Sequence, residues 1–359
     1  MNKLLLFLGA GASKPLGIPT MVEMVGEIES QLENDEAELF STIRKAIARR
    51  GIDTDIEAIL SVVQAIARGA SALELGYPAM YLVKEVLDGD TRGTLSAGRR
   101  EEKVAAHLVE TIQGRVRELC SPTDLQNREP RLFEPYTDLF ARLLKIPGVN
   151  SLDLGDGTKA PAVTMVTTNY DLAVETYFQE HRFKIPDLFD SGSVGTPKLP
   201  PAGIVGTGHQ LKLVKLHGSL NWFLLEGGEV VQDPVGPGHI AGRRNLGHML
   251  LYPIQQKDLY LYPWMDLFWV YRRDLRDTEN WVFIGYRFGD EYLTAITREA
   301  LRDTPRARAF IFGPRAKEGR ECLVGNERNL ETRVEAVRGY FGKTEDHEDL
   351  VSAISPAGK

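Results

Sequence analysis

The sequence predicts an α/β protein built on a parallel sheet, with a large helical insertion. Three observations predict this class: several short apolar runs end in polar or glycine-rich turns, helical periodicity follows some of those turns, and a long helical stretch separates the first run from the second. The chain has 359 residues, which is enough for one large α/β domain with insertions or for two domains.

The first predicted strand, Leu4–Leu8, runs directly into a glycine-bearing loop over residues 9–19. A buried strand that breaks into glycines and restarts as a helix presents backbone N–H groups to a phosphate, and the helix adds its N-terminal dipole. The sequence therefore predicts a nucleotide site at this loop. The spacing differs from the dehydrogenase fingerprint, since Lys14 stands where the third glycine belongs and Gly17 comes too late.

A long segment with helical periodicity follows the glycine loop, over residues 21 to about 144. The periodicity is clear over Lys103–Leu119, and Gly89–Gly98 is a polar break between helices. We expect residues 26–150 to form a helical subdomain inserted after the first strand and helix. Its apolar positions exceed what one sheet edge easily covers, which predicts self-association or contact with a partner; burial of these residues inside a monomer is the open alternative. The positions are Ile43, Ile47, Ile56, Ile59, Leu60, Val63 and Ile66.

Four later apolar runs are predicted strands: Ala162–Thr167, Leu211–Leu216, Trp281–Ile284 and Ala309–Phe312. The first ends in a polar turn and a predicted helix, and the second ends in a histidine and a glycine. Ligands of open parallel sheets bind beyond the carboxyl ends of the strands. We therefore expect these turns and the glycine loop to line one cleft.

Three of the strand ends carry recognisable motifs: GAGAS with GIP over residues 9–19, Thr168-Asn169-Tyr170-Asp171, and His217-Gly218. In this order they resemble the sirtuin-type NAD-binding domain, in which a GAG-x-S…GIP loop, a T-x-N-x-D turn and an HG turn surround the nicotinamide ribose. Residues 283–290 look like the IGYSF-x-D segment of the bacterial sirtuin-like branch. The resemblance implies a Rossmann-like NAD-binding domain formed by residues 1–25 and 151–315, with residues 316–359 as a C-terminal extension.

The resemblance also implies which residues hold NAD and which act in the reaction. Breaking the nicotinamide–ribose bond develops positive charge on the ribose. Asn169 can hold a ribose hydroxyl and a water without adding charge, and His217 suits a general base because histidine titrates near neutral pH. Asp171 would bind the nicotinamide carboxamide or stabilise the cationic transition state. The residues expected to bind NAD are Gly9, Ala10, Gly11, Ala12, Ser13, Ile18, Pro19, Thr168, Gly285, Tyr286 and Asp290.

These polar residues also have purely structural interpretations. Asn169 can form an Asx turn at the end of its strand, and His217 can be a hydrogen-bonded core histidine. Asp171 can cap the helix that begins near residue 172, and Asp290 has the same ambiguity before its own helix. The sequence alone leaves these alternatives open.

The chain departs from deacylating sirtuins at two places. Those enzymes follow GIP with an acidic or serine residue and then Phe-Arg, whereas this chain reads Thr20-Met21-Val22. They also carry a zinc ribbon with two CxxC pairs, which Cys120 and Cys322 cannot build, so no zinc ribbon and no other metal site is expected. The profile resembles the stand-alone sirtuin-like NAD hydrolases of prokaryotic anti-phage systems, which consume NAD to arrest the infected cell.

What this resemblance implies is an NAD glycohydrolase that cleaves NAD to nicotinamide and ADP-ribose as the effector of an abortive anti-phage response. Members of that group often act beside a partner ATPase or a nucleic-acid-sensing protein, and a homo-oligomer is expected as the working form. Two alternatives from other classes remain. One is an NAD-dependent deacylase or ADP-ribosyltransferase, and the other is a module that senses NAD or ADP-ribose without turnover.

Bulk properties limit the remaining classes. The net charge of −7 argues against a broad nucleic-acid-binding face. The apolar run near the N-terminus follows a single lysine and is too short for a typical secretory signal, and no second run approaches the roughly 20 residues of a membrane span. We therefore expect a soluble, cytoplasmic protein.

Overall fold

A computed structural model of the chain describes residues 4–51, 54–67, 99–121, 129–183, 211–225, 230–232, 245–250 and 263–355. The chain divides into two compact units. The first comprises Met1–Ile18, Pro122–Leu251 and Lys257–Lys359, and the second comprises Pro19–Ser121 with Tyr252–Gln256.

The described strands are β1 (Leu4–Leu8), β2 (Ser151–Asp153), β3 (Lys159–Pro161), β4 (Thr164–Thr167), β5 (Lys212–Lys215), β6 (Gly218–Leu225), β7 (Val230–Gln232), β8 (Asn245–Leu250), β9 (Asn280–Ile284), β10 (Arg308–Gly313) and β11 (Val334–Arg338). The described helices are α1 (Ala10–Ser13), α2 (Met21–Glu29), α3 (Asn34–Arg49), α4 (Ile56–Ala67), α5 (Arg99–Leu119), α6 (Glu134–Leu143), α7 (Ala173–Glu180), α8 (Trp264–Asp277), α9 (Glu291–Asp303), α10 (Ala316–Val324) and α11 (His347–Ile354).

A six-stranded sheet forms the centre of the first unit, in the order β11-β10-β9-β1-β4-β5. Every neighbouring pair in it is parallel. When these six strands are numbered 1 to 6 by their order in the chain and read from β5 to β11, the order is 3-2-1-4-5-6. This is the order of doubly wound dinucleotide-binding folds. The predicted α/β class with a Rossmann-like parallel sheet is therefore confirmed.

The central strands are apolar throughout because both faces of the sheet are covered. All five residues of β1 are buried, and β9 and β10 bury every residue after the first. A parallel strand covered on both faces has no polar side, which is why these segments read as continuous apolar runs. Phe7 and Phe283 pack in one core cluster with Tyr271 of α8 and Leu293 of α9.

Four strands of the sheet end in register, and this alignment positions the candidate site. Leu8 of β1 is paired with Ile284 of β9 on one side and with Thr167 of β4 on the other. Thr167 is in turn paired with Lys215 of β5. The segments that follow these residues therefore leave the sheet at the same edge, at the point where the chain order reverses between β1 and β9.

The second unit is helical in its described part. Thr20 caps α2 with a capping box, in which its hydroxyl accepts from the Glu23 backbone N–H and the Glu23 carboxylate accepts from the Thr20 N–H. The apolar positions that suggested self-association are buried within the single chain, each at most 1% exposed. They therefore give no support to an oligomer. These are Ile43, Ile47, Ile56, Ile59, Leu60, Val63 and Ile66.

Two parts of the fold are not predicted by the sequence. The sixth strand, β11, lies in the segment expected as a C-terminal extension, and its alternation of buried Val334 and Val337 with exposed Glu335 and Arg338 is typical of a sheet edge. A three-stranded antiparallel sheet, β7-β6-β8, begins directly after His217. The predicted break at residues 89–98 lies outside the described residues. No described helix is both long and apolar enough to cross a membrane.

Candidate active site

The glycine loop and the segment after β9 cross with direct backbone contact. A Cβ on Gly285 would lie 2.5 Å from the Cα of Gly11, and one on Gly9 would lie 2.7 Å from the carbonyl oxygen of Gly285. Gly285 has φ +63°, in the left-handed region. The Gly11 N–H donates to the Gly285 carbonyl at 3.1 Å, so the three glycines are required by this crossing.

Several backbone donors of the glycine loop are therefore already used inside the protein. The Gly9 N–H donates to the Ile284 carbonyl, and the Ala12 N–H donates to the Gly9 carbonyl, both at 2.9 Å. These N–H groups and that of Gly11 are hydrogen-bonded to carbonyls rather than presented to a phosphate. Ala10 is half-buried at the start of α1.

Asn169, Ser13 and Asp171 form a chain of hydrogen bonds across the ends of β1 and β4. The Asn169 amide nitrogen donates to the Ser13 hydroxyl at 2.7 Å and to the Gly9 carbonyl at 2.9 Å. The Ser13 hydroxyl donates to Asp171 Oδ2 at 2.6 Å. All three side chains are buried. Both Asn169 contacts are donated by its amide nitrogen, so neither of them uses the amide oxygen Oδ1.

The turn that carries Asn169 is held from both sides. The Asn169 N–H donates to the Thr167 hydroxyl, and this hydroxyl donates to the Leu8 carbonyl at 2.7 Å. Asp171 Oδ1 accepts from the Ala173 N–H at 3.0 Å, which forms an Asx turn before α7, whose N-cap residue is Leu172. The second oxygen of Asp171 accepts from Ser13, so the Asx turn uses only one oxygen of this carboxylate.

A buried lysine beneath this turn is a residue that the sequence analysis missed. Lys215 is 2% exposed, and its ammonium donates to the backbone carbonyls of Tyr170 and Asp171. It also forms an ion pair with Glu175 Oε1 at 3.0 Å. The signal available in the sequence is a lysine between two apolar residues near the end of the predicted strand Leu211–Leu216.

His217 is paired with Asp290. His217 Nε2 lies 3.2 Å from Asp290 Oδ2, and His217 is only 4% exposed. Burial alone would raise the pKa of the Asp290 carboxyl, but the hydrogen bond and charge of His217, with the backbone N–H groups of Tyr292 and Leu293, hold that pKa below its usual value. The carboxylate is therefore ionised at neutral pH and can only accept, so Nε2 carries the proton of this hydrogen bond.

The other predicted ligand residues are placed as follows. Thr168 is half-buried beside Asn169, and Ile18 is buried with 4% exposure. Pro19 is the first residue of the second unit. The Tyr286 ring packs against Phe7, with ring centroids 4.5 Å apart, so its aromatic face belongs to the core.

Two buried polar atoms on β6, the strand that follows His217, are also absent from the sequence-based prediction. Ser219 Oγ and Asn221 Oδ1 on β6 are buried, and neither has a hydrogen-bond partner among the described residues. The Leu220 N–H between them donates to the Tyr170 carbonyl at 3.0 Å, which attaches this strand to the Asn169 turn. Within the described ranges, no group of three or more histidine, cysteine, aspartate or glutamate side chains is placed to hold a metal ion.

Comparison with known proteins gives one family match, and it includes the second and third motifs. Residues 163–333 match the SIR2-like domain family, whereas curated protein sequences give no match. A mutant Sir2 homologue in complex with ADP-ribose aligns over 99% of this chain and 94% of its own, at 12% identity and a TM-score of 0.39. A Sir2 homologue–NAD complex aligns over 98% and 88%, at 13% identity and a TM-score of 0.39. Residues 163–333 are therefore similar to the SIR2-like domain family, in agreement with the resemblance of the motifs.

Proposed function

We propose that this protein is an NAD glycohydrolase, which cleaves NAD to nicotinamide and ADP-ribose. One observation carries the proposal. Thr167 of β4 is paired with Lys215 of the neighbouring parallel strand β5, and Asn169 and His217 each lie two residues after these paired residues. Neighbouring strands lie about 4.8 Å apart, so the two side chains emerge side by side at the edge where such sheets bind nucleotides. Both lie within the matched SIR2-like domain.

Asn169 is suited to orient the attacking water. Both of its amide hydrogens are engaged by Gly9 and Ser13, which fixes the side chain and leaves Oδ1 as an acceptor. An acceptor oxygen can take one hydrogen bond from a water molecule while the water's lone pair attacks. The amide adds no charge that would bind the cationic substrate too tightly.

The reaction assigned to this site is hydrolysis at the anomeric carbon of the nicotinamide ribose. The bond between C1′ and the nicotinamide nitrogen breaks, its electron pair leaves with nicotinamide, and the water oxygen bonds to C1′. One water proton passes to His217 and then to solvent, so NAD⁺ and water give nicotinamide, ADP-ribose and a proton. Removal of the proton as the new bond forms is general-base catalysis.

Asp171 supplies negative charge near this centre. Its carboxylate is buried at 5% exposure and is held by Ser13 and the Ala173 N–H, so it is fixed before the reaction begins. A fixed charge in a poorly solvated site stabilises an oxocarbenium-like transition state more than a mobile, hydrated one would. This role leaves both hydrogen bonds of the carboxylate intact, because it acts through charge alone.

The cellular role that we propose is NAD depletion in an anti-phage response, with control by a partner ATPase, a nucleic-acid-sensing protein or self-association. This part is supported by the resemblance of the motifs and by the absence of the sirtuin pattern after Pro19. An uncontrolled NAD hydrolase would be toxic to its host, which favours control by assembly or by a trigger.

The test is incubation of the purified chain with NAD, with and without candidate activators, and separation of nicotinamide and ADP-ribose by chromatography. Hydrolysis predicts equal amounts of both products and no label on the protein when the adenine moiety of NAD is radioactive. A requirement for an acyl-lysine peptide would instead indicate a deacylase, and labelled protein would indicate an ADP-ribosyltransferase. Binding of NAD without product, both alone and with the candidate activators, would indicate a sensor and would contradict the proposal.

A further inference from the structure

The carboxylate of Asp290 contacts two groups at once, one through each oxygen. Oδ1 accepts from the Leu293 N–H at 3.0 Å and caps α9, whereas Oδ2 lies 3.2 Å from His217 Nε2. The cap alone needs neither a charge nor the second oxygen, because asparagine and serine cap helices as well as aspartate does. The contact with His217 is therefore a separate property of this side chain.

The backbone before Asp290 adopts an unfavourable conformation. Phe288 has φ +59° although it is not glycine, and its ring is buried at 4% exposure. A left-handed conformation costs an ordinary residue about 1–2 kcal/mol, and such outliers cluster at functional sites. The Thr294 hydroxyl donates to the Phe288 carbonyl at 3.1 Å and holds this turn. This strained turn lies between the end of β9 and Asp290, the residue that contacts His217.

From this geometry we infer that Asp290 is a positioning residue for His217: it accepts the Nε2–H, fixes the tautomer, and leaves Nδ1 as the nitrogen that takes the proton from water. The inference deepens the proposed hydrolase function and rests on it. A carboxylate that orients an imidazole also stabilises the imidazolium formed during proton transfer.

The surroundings of His217 contain no competing partner in the described residues. The described titratable side chains for which the structure gives a contact with His217 are Asp290 and Tyr170, whose ring centroid lies 6.5 Å from that of the imidazole. Asp290 also lies near the buried Tyr271 hydroxyl, which is hydrogen-bonded to Thr297 at 2.7 Å. The orientation of the imidazole therefore depends on one carboxylate.

The test compares Asp290→Asn and Asp290→Ser, both of which retain an N-cap. We expect kcat for NAD hydrolysis to fall about 10- to 100-fold in each, as is typical for residues that orient a catalytic group, with KM changed less than twofold. Asp55→Asn is the matched control, since Asp55 Oδ1 caps α4 through the Ala58 N–H at 2.8 Å. This control should hydrolyse NAD at the wild-type rate.

A merely structural role for Asp290 would give a different pattern. If Asp290 acts through His217, the double variant His217→Ala/Asp290→Asn should be no slower than His217→Ala, because residues that act as a unit are not additive. The inference would be overturned if the kcat loss of the double variant equalled the product of the two single-variant losses. It would also be overturned if Asp290→Asn hydrolysed NAD at the wild-type rate.

A second measurement separates this inference from the proposed function. Urea unfolding of the same two single variants and the double variant needs no substrate, so it applies even if the chain does not hydrolyse NAD. We expect the two substitutions to be non-additive in the unfolding midpoint, since each removes the same contact. Additive midpoints would show that the pair does not interact, whereas non-additive midpoints without NAD turnover would reject the hydrolase function alone.

Discussion

At the residue scale, the site is defined by which hydrogen bonds each polar atom already makes. The motif residues Asn169, His217 and Asp290 could be selected from the sequence, because each follows an apolar run in a polar turn. The sequence could not show which acceptor each hydrogen-bond donor contacts. Both hydrogens of Asn169 and the hydroxyl of Ser13 are used within the protein, and Ser13, which is also an expected NAD-binding residue, links Asn169 to Asp171.

Two buried serines, Ser13 and Ser219, are expected to respond differently to removal of the hydroxyl. Ser13→Ala leaves Asp171 Oδ2 and one Asn169 hydrogen without partners, which costs about 1–3 kcal/mol of unfolding free energy. Ser219→Ala removes a hydroxyl that has no partner among the described residues, so stability should stay within about 0.5 kcal/mol of wild type. Chemical denaturation of both variants provides the comparison; equal losses would show that the Ser13 hydrogen bonds do not stabilise the fold.

The pH dependence of stability tests the charge state of Asp290. Its pKa is lowered in the folded state, so its contribution is complete above the unfolded value of about 3.9 and is lost as the pH falls through the folded value. Wild type should therefore lose more unfolding free energy between pH 6 and pH 3 than Asp290→Asn does. Urea titrations at the two pH values measure this, and an identical loss in both proteins would show that the carboxylate is not stabilised by folding.

At the element scale, the crossing of the glycine loop with the segment after β9 sets the geometry of the strand ends. Gly285→Ala would place a Cβ 2.5 Å from the Cα of Gly11 and would strain a residue at φ +63°. We expect a loss of about 3 kcal/mol or more, because backbone cannot yield as a flexible side chain does.

Gly26→Ala is the control for that substitution. Gly26 lies inside α2, and a Cβ added there would meet no neighbouring atom of the described residues within 4 Å, so alanine should stabilise the protein by about 0.5–1 kcal/mol. Thermal unfolding of the two variants should move the midpoint in opposite directions. A neutral Gly285→Ala variant would show that the two segments do not cross this closely.

Lys215 tests how strongly β5 holds the Asn169 turn. Lys215→Met leaves Glu175 and two turn carbonyls without their cation, and removing one partner of a buried ion pair costs about 3–5 kcal/mol. The double variant with Glu175→Gln should recover part of this loss, because no uncompensated charge then remains. Denaturation of both variants checks the expectation; a Lys215→Met variant as stable as wild type would contradict it.

At the scale of the whole molecule, the sheet could be predicted where its strands contain buried apolar runs. This applies to β1, β9 and β10, and also to β4 and β5, whose two central residues are apolar and buried. It does not apply to β11, because an edge strand alternates charged and apolar residues and resembles an exposed segment. The antiparallel strands after His217 were also missed, since pairing between distant segments leaves no local periodicity.

The helical second unit shows that an excess of apolar residues in a segment does not by itself indicate a contact with another chain. Seven apolar positions there predicted a contact with another chain, and all seven are buried in the single chain. Sequence periodicity identifies which face of a helix is covered, but it does not identify what covers it. Self-association of this protein therefore remains a proposal about control.

The proposed roles of Asn169 and His217 in NAD hydrolysis are tested by steady-state nicotinamide release. The release is compared for wild type, Asn169→Ala, His217→Ala and the capping control Asp55→Asn, with folding checked by circular dichroism. Both site variants should lose about 10²–10⁴-fold in kcat while remaining folded, and the control should keep the wild-type rate. Wild-type rates in folded Asn169→Ala and His217→Ala variants would contradict these roles.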